Sequence, residues 1–202
     1  MMLAGIFAGV LCLGLILGDW LYFIRLTPDA SRYGCGIARS RDHFAAHGLS
    51  RLRERFDQNG VLSLPHGIAR YYPDLSQIAI RPQYHLFSMS FRTAWPLKGL
   101  IHFSTGKEID TALCVKRIPW SSAIITLVWF LLVSIGTIVF LVSYAMQGGF
   151  NSLTGLLMGA GILGIGLLVL AFGLVTVVFS YRLENSRLTK VYDELRALAQ
   201  EC

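Results

Sequence analysis

Residues 121–181, SSAIITLVWFLLVSIGTIVFLVSYAMQGGFNSLTGLLMGAGILGIGLLVLAFGLVTVVFSY, contain no Asp, Glu, Lys or Arg. Two apolar runs, 121–146 and 153–181, are joined by a short polar link that is rich in glycine. Each run is longer than the ~20 residues an α-helix needs to cross a ~30 Å hydrocarbon core. The stretch therefore predicts a transmembrane hairpin. A third apolar run, 1–24, meets the same length criterion, so the sequence predicts three transmembrane helices. A secretory leader fits that first run poorly, because nothing basic precedes Arg25 and the run exceeds a leader's usual apolar core.

Composition points the same way. The chain has 202 residues, is 54% hydrophobic and only 15% charged, and has a mean hydropathy of +0.55, which is the balance of a membrane protein. The expected organisation is a first transmembrane helix at 1–25, a helix with a β-rich module at 26–118, the hairpin at 119–181, and an amphipathic helix at 182–202.

Orientation follows from the basic residues, which concentrate on the cytoplasmic side of membrane proteins. Residues 26–118 hold 13 Lys or Arg against 7 Asp or Glu, residues 182–202 hold 4 of each, and the link 147–152 holds none. The expectation is an integral multi-pass protein of a bacterial inner membrane, with its N-terminus and the link outside and the large loop and C-terminus in the cytoplasm. Trp20, Tyr22, Trp120, Tyr144 and Tyr181 stand near the predicted helix ends, as interfacial aromatics do. Cys35, Cys114 and Cys202 then face a reducing compartment, Cys12 falls in a helix, and no CxxC pair suggests a metal or dithiol site.

Within 26–118, the stretch 40–58 (SRDHFAAHGLSRLRERFDQ) reads as a helix. Ser40 or Asp42 would cap it, Ala45, Leu49, Leu52 and Phe56 recur at helical spacing, and Asn59-Gly60 stops it. Beyond it, GVLSL, GIARYY, SQIAI, YHLFSMSFRTAW, KGLIHFS and DTALCVKRI alternate with proline and glycine breakers, which predicts an antiparallel meander of five or six strands. In the tail, Leu188, Val191, Leu195 and Leu198 form an apolar stripe among charged residues. That stripe suits either this chain's own sheet or a neighbouring subunit.

Four features are candidate functional residues. Gly155, Gly159, Gly166 and Gly173 fall within about 40° of one another at 100° per residue, a side-chain-free strip on which a second backbone can pack closely. The neighbour is either the preceding helix of this chain or a helix of another subunit. Asp19 is the one ionisable residue inside a predicted span, and an intramembrane acid is a functional candidate. His43 and His47, four apart on the predicted helix beside Asp42, have the spacing of a zinc or copper pair, with Cys35, His66, His85 or His102 as a third ligand. Arg39, Arg41, Arg51, Arg53 and Arg55 form a juxtamembrane basic cluster suited to anionic lipid headgroups or an acidic partner. Nucleic acid would call for exposed aromatics among the basic residues.

No nucleotide-binding glycine loop, GxSxG elbow or HExxH pair occurs. The function expected is a non-catalytic accessory, assembly or scaffold subunit of a larger membrane complex, with other integral membrane subunits as partners and no cofactor. The rival is a membrane-bound enzyme or metal-handling protein that uses the His43/His47 helix.

Overall fold

The computed structural model describes residues 9–200, apart from 11, 12, 15, 20, 24, 46–47, 84–92, 94 and 105–108. His47, His85, Trp20, Cys12 and Cys202 lie outside the described residues, as does most of the expected strand YHLFSMSFRTAW. The chain forms two compact units, one of residues 1–122 with 182–202 and one of residues 123–181.

The first unit is built on a six-stranded antiparallel sheet. Its strands are β1 Cys35–Ala45, β2 Val61–Ser63, β3 Gly67–Tyr72, β4 Gln77–Pro82, β5 Lys98–Ser104 and β6 Ile109–Ile118. Their order is β1-β6-β5-β4-β3-β2, so β2 to β6 form a meander and β1 adds to its far edge. Two short helices accompany them, α1 Pro28–Ser31 and α2 Gly48–Glu54.

β1 corrects the sequence reading, which placed a helix over 40–58. The helical spacing of Ala45, Leu49, Leu52 and Phe56 was real over only its second half, where α2 buries Leu52. Upstream, Ala38, Ser40 and Asp42 alternate with Arg39, Arg41 and His43. This period of two fits the pleat, and the strand is held by a continuous register with β6 from Ala38↔Lys116 to Ala45↔Ile109.

A helix covers the first face of the sheet, and a segment of chain covers part of the second. On the first lie Gly67 and Ala69 of β3, Ile78 and Ile80 of β4, Gly99 and Ile101 of β5, and Cys114 and Lys116 of β6. The last third of a long helix, α4 Leu153–Gln200, packs there and buries Glu184, Leu188, Val191, Leu195 and Ala199. A Cβ on Gly67 would stand 2.6 Å from Val191 Cγ2, and one on Gly99 would stand 2.6 Å from Ile80 and 3.5 Å from Leu188. These two glycines let the helix sit close on the strands. Of the two settings expected for the tail stripe, the chain's own sheet is the one occupied, with Ala199 buried where the stripe pointed to the half-buried Leu198.

The second face, with Tyr72, Ala79, Lys98 and Leu100, is covered over β3 to β5 by the segment 23–34. Phe23 and Ala30 are buried, and Leu26 packs against the Tyr72–Ala79–Leu100 cluster.

The second unit is a helical hairpin. Its two arms are most of α3 Trp120–Met146 and the first part of α4, joined through a turn at Gly148, where φ is +75°. Such a φ favours glycine. Ser152 Oγ accepts from Gly155 N at 3.0 Å and so caps the start of α4.

Two helices among the described residues, not three, are long and apolar enough to cross a membrane: α3 and α4, with mean hydropathies of 2.7 and 2.8 over their most apolar windows. Their apolar side chains are largely uncovered, with Leu127, Leu132, Ile165, Leu168 and Phe172 all exposed. The expected three-span fold is corrected on this count. Hydropathy counts apolar residues without asking what they face; at the end of the first run Phe23 lies against the Lys98 ammonium and Asp19 is buried, while Val10, Leu13, Leu17 and Leu21 are exposed.

Candidate functional site

The second face of the sheet gathers the charged groups. Arg81, Lys98 and Arg117 come from β4, β5 and β6, with Lys98 directly opposite Arg117. Lys98 is completely buried. Its ammonium donates to the carbonyl of Ala30 and lies 4.7 Å from the centroid of the Phe23 ring, a cation–π contact. Burial, with the nearby guanidinium groups of Arg117 and Arg81, pulls the Lys98 pKa down to about 8, against an opposing pull from Asp19.

Three further side chains of this face pin the same segment through its backbone carbonyls. Arg70 Nη1 donates to Leu26 O at 2.7 Å, and the Tyr72 hydroxyl donates to the same carbonyl. Arg117 Nη1 donates to Arg32 O at 2.6 Å and to Gly34 O at 2.9 Å. A segment without a ladder partner thus has its carbonyls satisfied by side-chain donors, three of them cationic. A Cβ on Gly34, where φ is +112°, would stand 2.6 Å from the Ile118 carbonyl, so only glycine fits where this segment turns into β1.

Asp19, singled out as an intramembrane acid, is 3% exposed. One of its carboxylate oxygens accepts from Ser121 N, in the first turn of α3. A carboxylate there satisfies a backbone donor that has no partner within the helix and meets the positive end of the helix dipole. Tyr33 also hydrogen-bonds Asp19, and burial followed by this contact pushes the phenol up to about 12. The role the contacts give Asp19 is that of a cap.

Polar contacts also fix the end of α4 on the first face. The Tyr192 hydroxyl donates to Asp42 Oδ2 at 2.7 Å, Lys116 Nζ donates to Asn185 Oδ1 at 2.6 Å, and His66 pairs with Glu194. Burial, then the Asp42 contact, raises the Tyr192 pKa. Glu184 is buried and accepts from Thr93 Oγ1 at 3.1 Å and from Arg187 Nη1 at 2.8 Å.

The histidine pair loses its geometric basis. His43 lies on β1, exposed and opposite Thr111, and α2 begins only at Gly48. The four-residue spacing therefore does not place His43 on a helical face. His66 is engaged by Glu194, and among the described residues no three His, Cys, Asp or Glu side chains come together as a metal site.

The five arginines divide. Arg39 and Arg41 share the second face of β1, where both are exposed. Arg51 and Arg53 belong to α2 and Arg55 follows it, and the Arg53 guanidinium lies 5.1 Å from the centroid of the Tyr71 ring. Arg41 joins His102, Leu113 and Thr111 around a shallow hollow of about 210 Å³. Arg32 and Arg117, both missed as candidates, belong with Arg39. Burial, then the charges of Arg32 and Arg117, lowers the His102 pKa, and Arg32 and Arg39 also act on Arg117. The alternation of ARSRDH was the available sign for two of these residues, whereas Arg32 and Arg117 joined them only through the pairing of β1 with β6.

In the hairpin, the glycine strip is occupied by this chain. A Cβ at Gly166 would stand 2.6 Å from Thr137 Oγ1, one at Gly173 would strike the Trp129 ring, one at Gly159 the Phe150 ring, and one at Gly155 the Gly149 carbonyl. By contrast, nothing lies near Gly161 or Gly164.

Compared with known proteins, the chain matches no family model, and neither a curated protein nor a solved structure matches it.

Proposed function

We propose that this chain is a non-catalytic accessory, assembly or scaffold component of a membrane protein complex. In this reading the α3–α4 hairpin is its anchor, the sheet and the end of α4 lie at the cytoplasmic surface, and its partners are integral membrane subunits. The observation that carries the reading is the continuity of α4. One unbroken helix begins as an apolar span and ends as the layer that completes the sheet's core. One helix thus contributes residues to both units, which suits a part that presents a surface at a membrane. The uncharged link and the basic excess of residues 26–118 support a cytoplasmic module.

The glycine strip no longer argues for a partner helix, since α3 and the turn fill it. What remains for an integral partner is the uncovered circumference of the hairpin, where Leu127, Leu132, Leu168 and Phe172 face outward. The metal-handling alternative has lost the helix it depended on.

Purification from membranes in mild detergent tests the proposal. The chain should stay in the membrane pellet after an alkaline carbonate wash and then co-elute with other integral membrane proteins in fixed ratio. Release by carbonate, or elution of the chain alone, would overturn it.

A further inference from the structure

Beyond the edge of the segment 23–34, the second face of β6 and β1 is basic, and among the described residues of these strands it carries no carboxylate. Three successive cross-strand rows start on β5, where the segment covers Lys98 and Leu100, and run over β6 to β1: Lys98–Arg117–Gly36, Leu100–Val115–Arg39 and His102–Leu113–Arg41. Each row holds at least one basic side chain. The acid next in sequence, Asp42, lies on the opposite face and is held by Tyr192. Arg117 binds the carbonyls of Arg32 and Gly34 and so keeps Arg32 beside these rows. Among the described residues, no carboxylate pairs with Arg32, Arg39 or Arg41, and all three are exposed.

Like charges held together without counter-charges repel one another, and they mark a surface that gains by binding an anion. A guanidinium offers a planar fork of donors that matches phosphate oxygens. Around these groups lie Leu113, Val115 and Thr111. Arg117 precedes Trp120, the first residue of α3, by three positions. In a membrane-anchored chain, that brings the surface close in sequence to the lipid boundary, where headgroup phosphates are the most abundant anions.

We propose that Arg32, Arg39 and Arg41, backed by Arg117, bind the phosphates of anionic phospholipid headgroups. This deepens the membrane-anchored reading and rests on it. The surface selects lipid by charge and is sensitive to salt.

The test uses the full chain in neutral detergent, titrated separately with dioctanoyl phosphatidylglycerol, dioctanoyl phosphatidylcholine, inorganic phosphate and polyglutamate. Phosphatidylglycerol should bind at least tenfold tighter than phosphatidylcholine. Arg39→Gln and Arg41→Gln should each weaken it about fivefold, and the triple variant with Arg32→Gln by more than tenfold. Lys190→Gln, an exposed cation on α4, should leave binding unchanged. The single variants keep the test valid if the triple variant does not fold. Equal affinity for the two lipids, or unchanged binding in both single variants, would overturn the inference. So would displacement of the lipid by equimolar inorganic phosphate, which marks a free-anion site, or tighter binding of polyglutamate, which marks a protein-binding surface. A chain that survives carbonate washing yet shows no lipid preference refutes this inference alone, whereas release by carbonate refutes the anchored reading beneath it.

Discussion

Alanine placed along α4 should change sign in its effect according to what each glycine touches. At Gly161 and Gly164 nothing lies within reach of an added Cβ, so alanine gains only the helix-propensity difference, about 0.5–1 kcal/mol. At Gly166 the same Cβ would stand 2.6 Å from Thr137 Oγ1 and 2.7 Å from its Cγ2. Thr137 has little room to yield, because its hydroxyl donates to Val133 O at 2.8 Å and its β-branch stiffens χ1. Overpacking of this kind costs about 1–3 kcal/mol, which outweighs the propensity gain. Gly166→Ala should therefore be destabilising by roughly 1–2 kcal/mol net, and Gly161→Ala neutral or stabilising. Titration of the purified chain with sodium dodecyl sulfate, followed by far-ultraviolet circular dichroism, measures the difference. If the two variants unfold together, α3 does not occupy the strip and the hairpin packing described above is wrong.

The buried Lys98 should make stability depend on pH. Its folded pKa of about 8 lies below the ordinary 10.5, so between these values the unfolded chain binds more protons and stability rises with pH. From pH 8 to 9 the gain is about 1 kcal/mol, beyond which the raised pKa of Cys114, and above 10 those of Tyr33 and Tyr72, oppose it. Thermal unfolding midpoints should rise by about 2–4 °C over that unit and lose the rise in Lys98→Met; an equal rise in the variant would refute the assignment. Leu188→Ala, at a side chain 1% exposed against Gly99, should destabilise the sheet unit by about 2–5 kcal/mol. The neighbouring exposed Thr189→Ala should stay within about 0.5 kcal/mol, and limited proteolysis would separate the two.

What the sequence disclosed follows from how local each signal is. The hairpin was legible because 121–181 excludes every charge, and the meander because Pro65, Pro73, Pro82 and Gly60 punctuate it. The tail stripe at Leu188, Val191 and Leu195 marked the buried face of α4, although not what would cover it. β1 was misread because its partner lies some seventy residues away in sequence. Without that ladder, the helical spacing of Ala45 to Phe56 outweighed the alternation before it. The burial of Phe23 at the end of the first apolar run was illegible for a related reason, since only the folded sheet brings the Lys98 side chain under its ring. Of the basic cluster, Arg39 and Arg41 were named from the sequence, but the surface they share with Arg32 and Arg117 exists only through strand register. A buried Lys98 leaves no local trace, because its burial depends on a segment that precedes it by more than sixty residues.

In the anchored reading the sheet lies on the cytoplasmic side of the membrane and the α3–α4 turn on the other. Cysteines introduced at two exposed positions, Gln147 in the turn and Ser63 in β2, and labelled with a membrane-impermeant maleimide report the side of each. In intact cells Gln147→Cys should react, and Ser63→Cys should react only after the membrane is permeabilised. Labelling of Ser63→Cys in intact cells, or of both positions in a fraction that carbonate strips from the membrane, would contradict it.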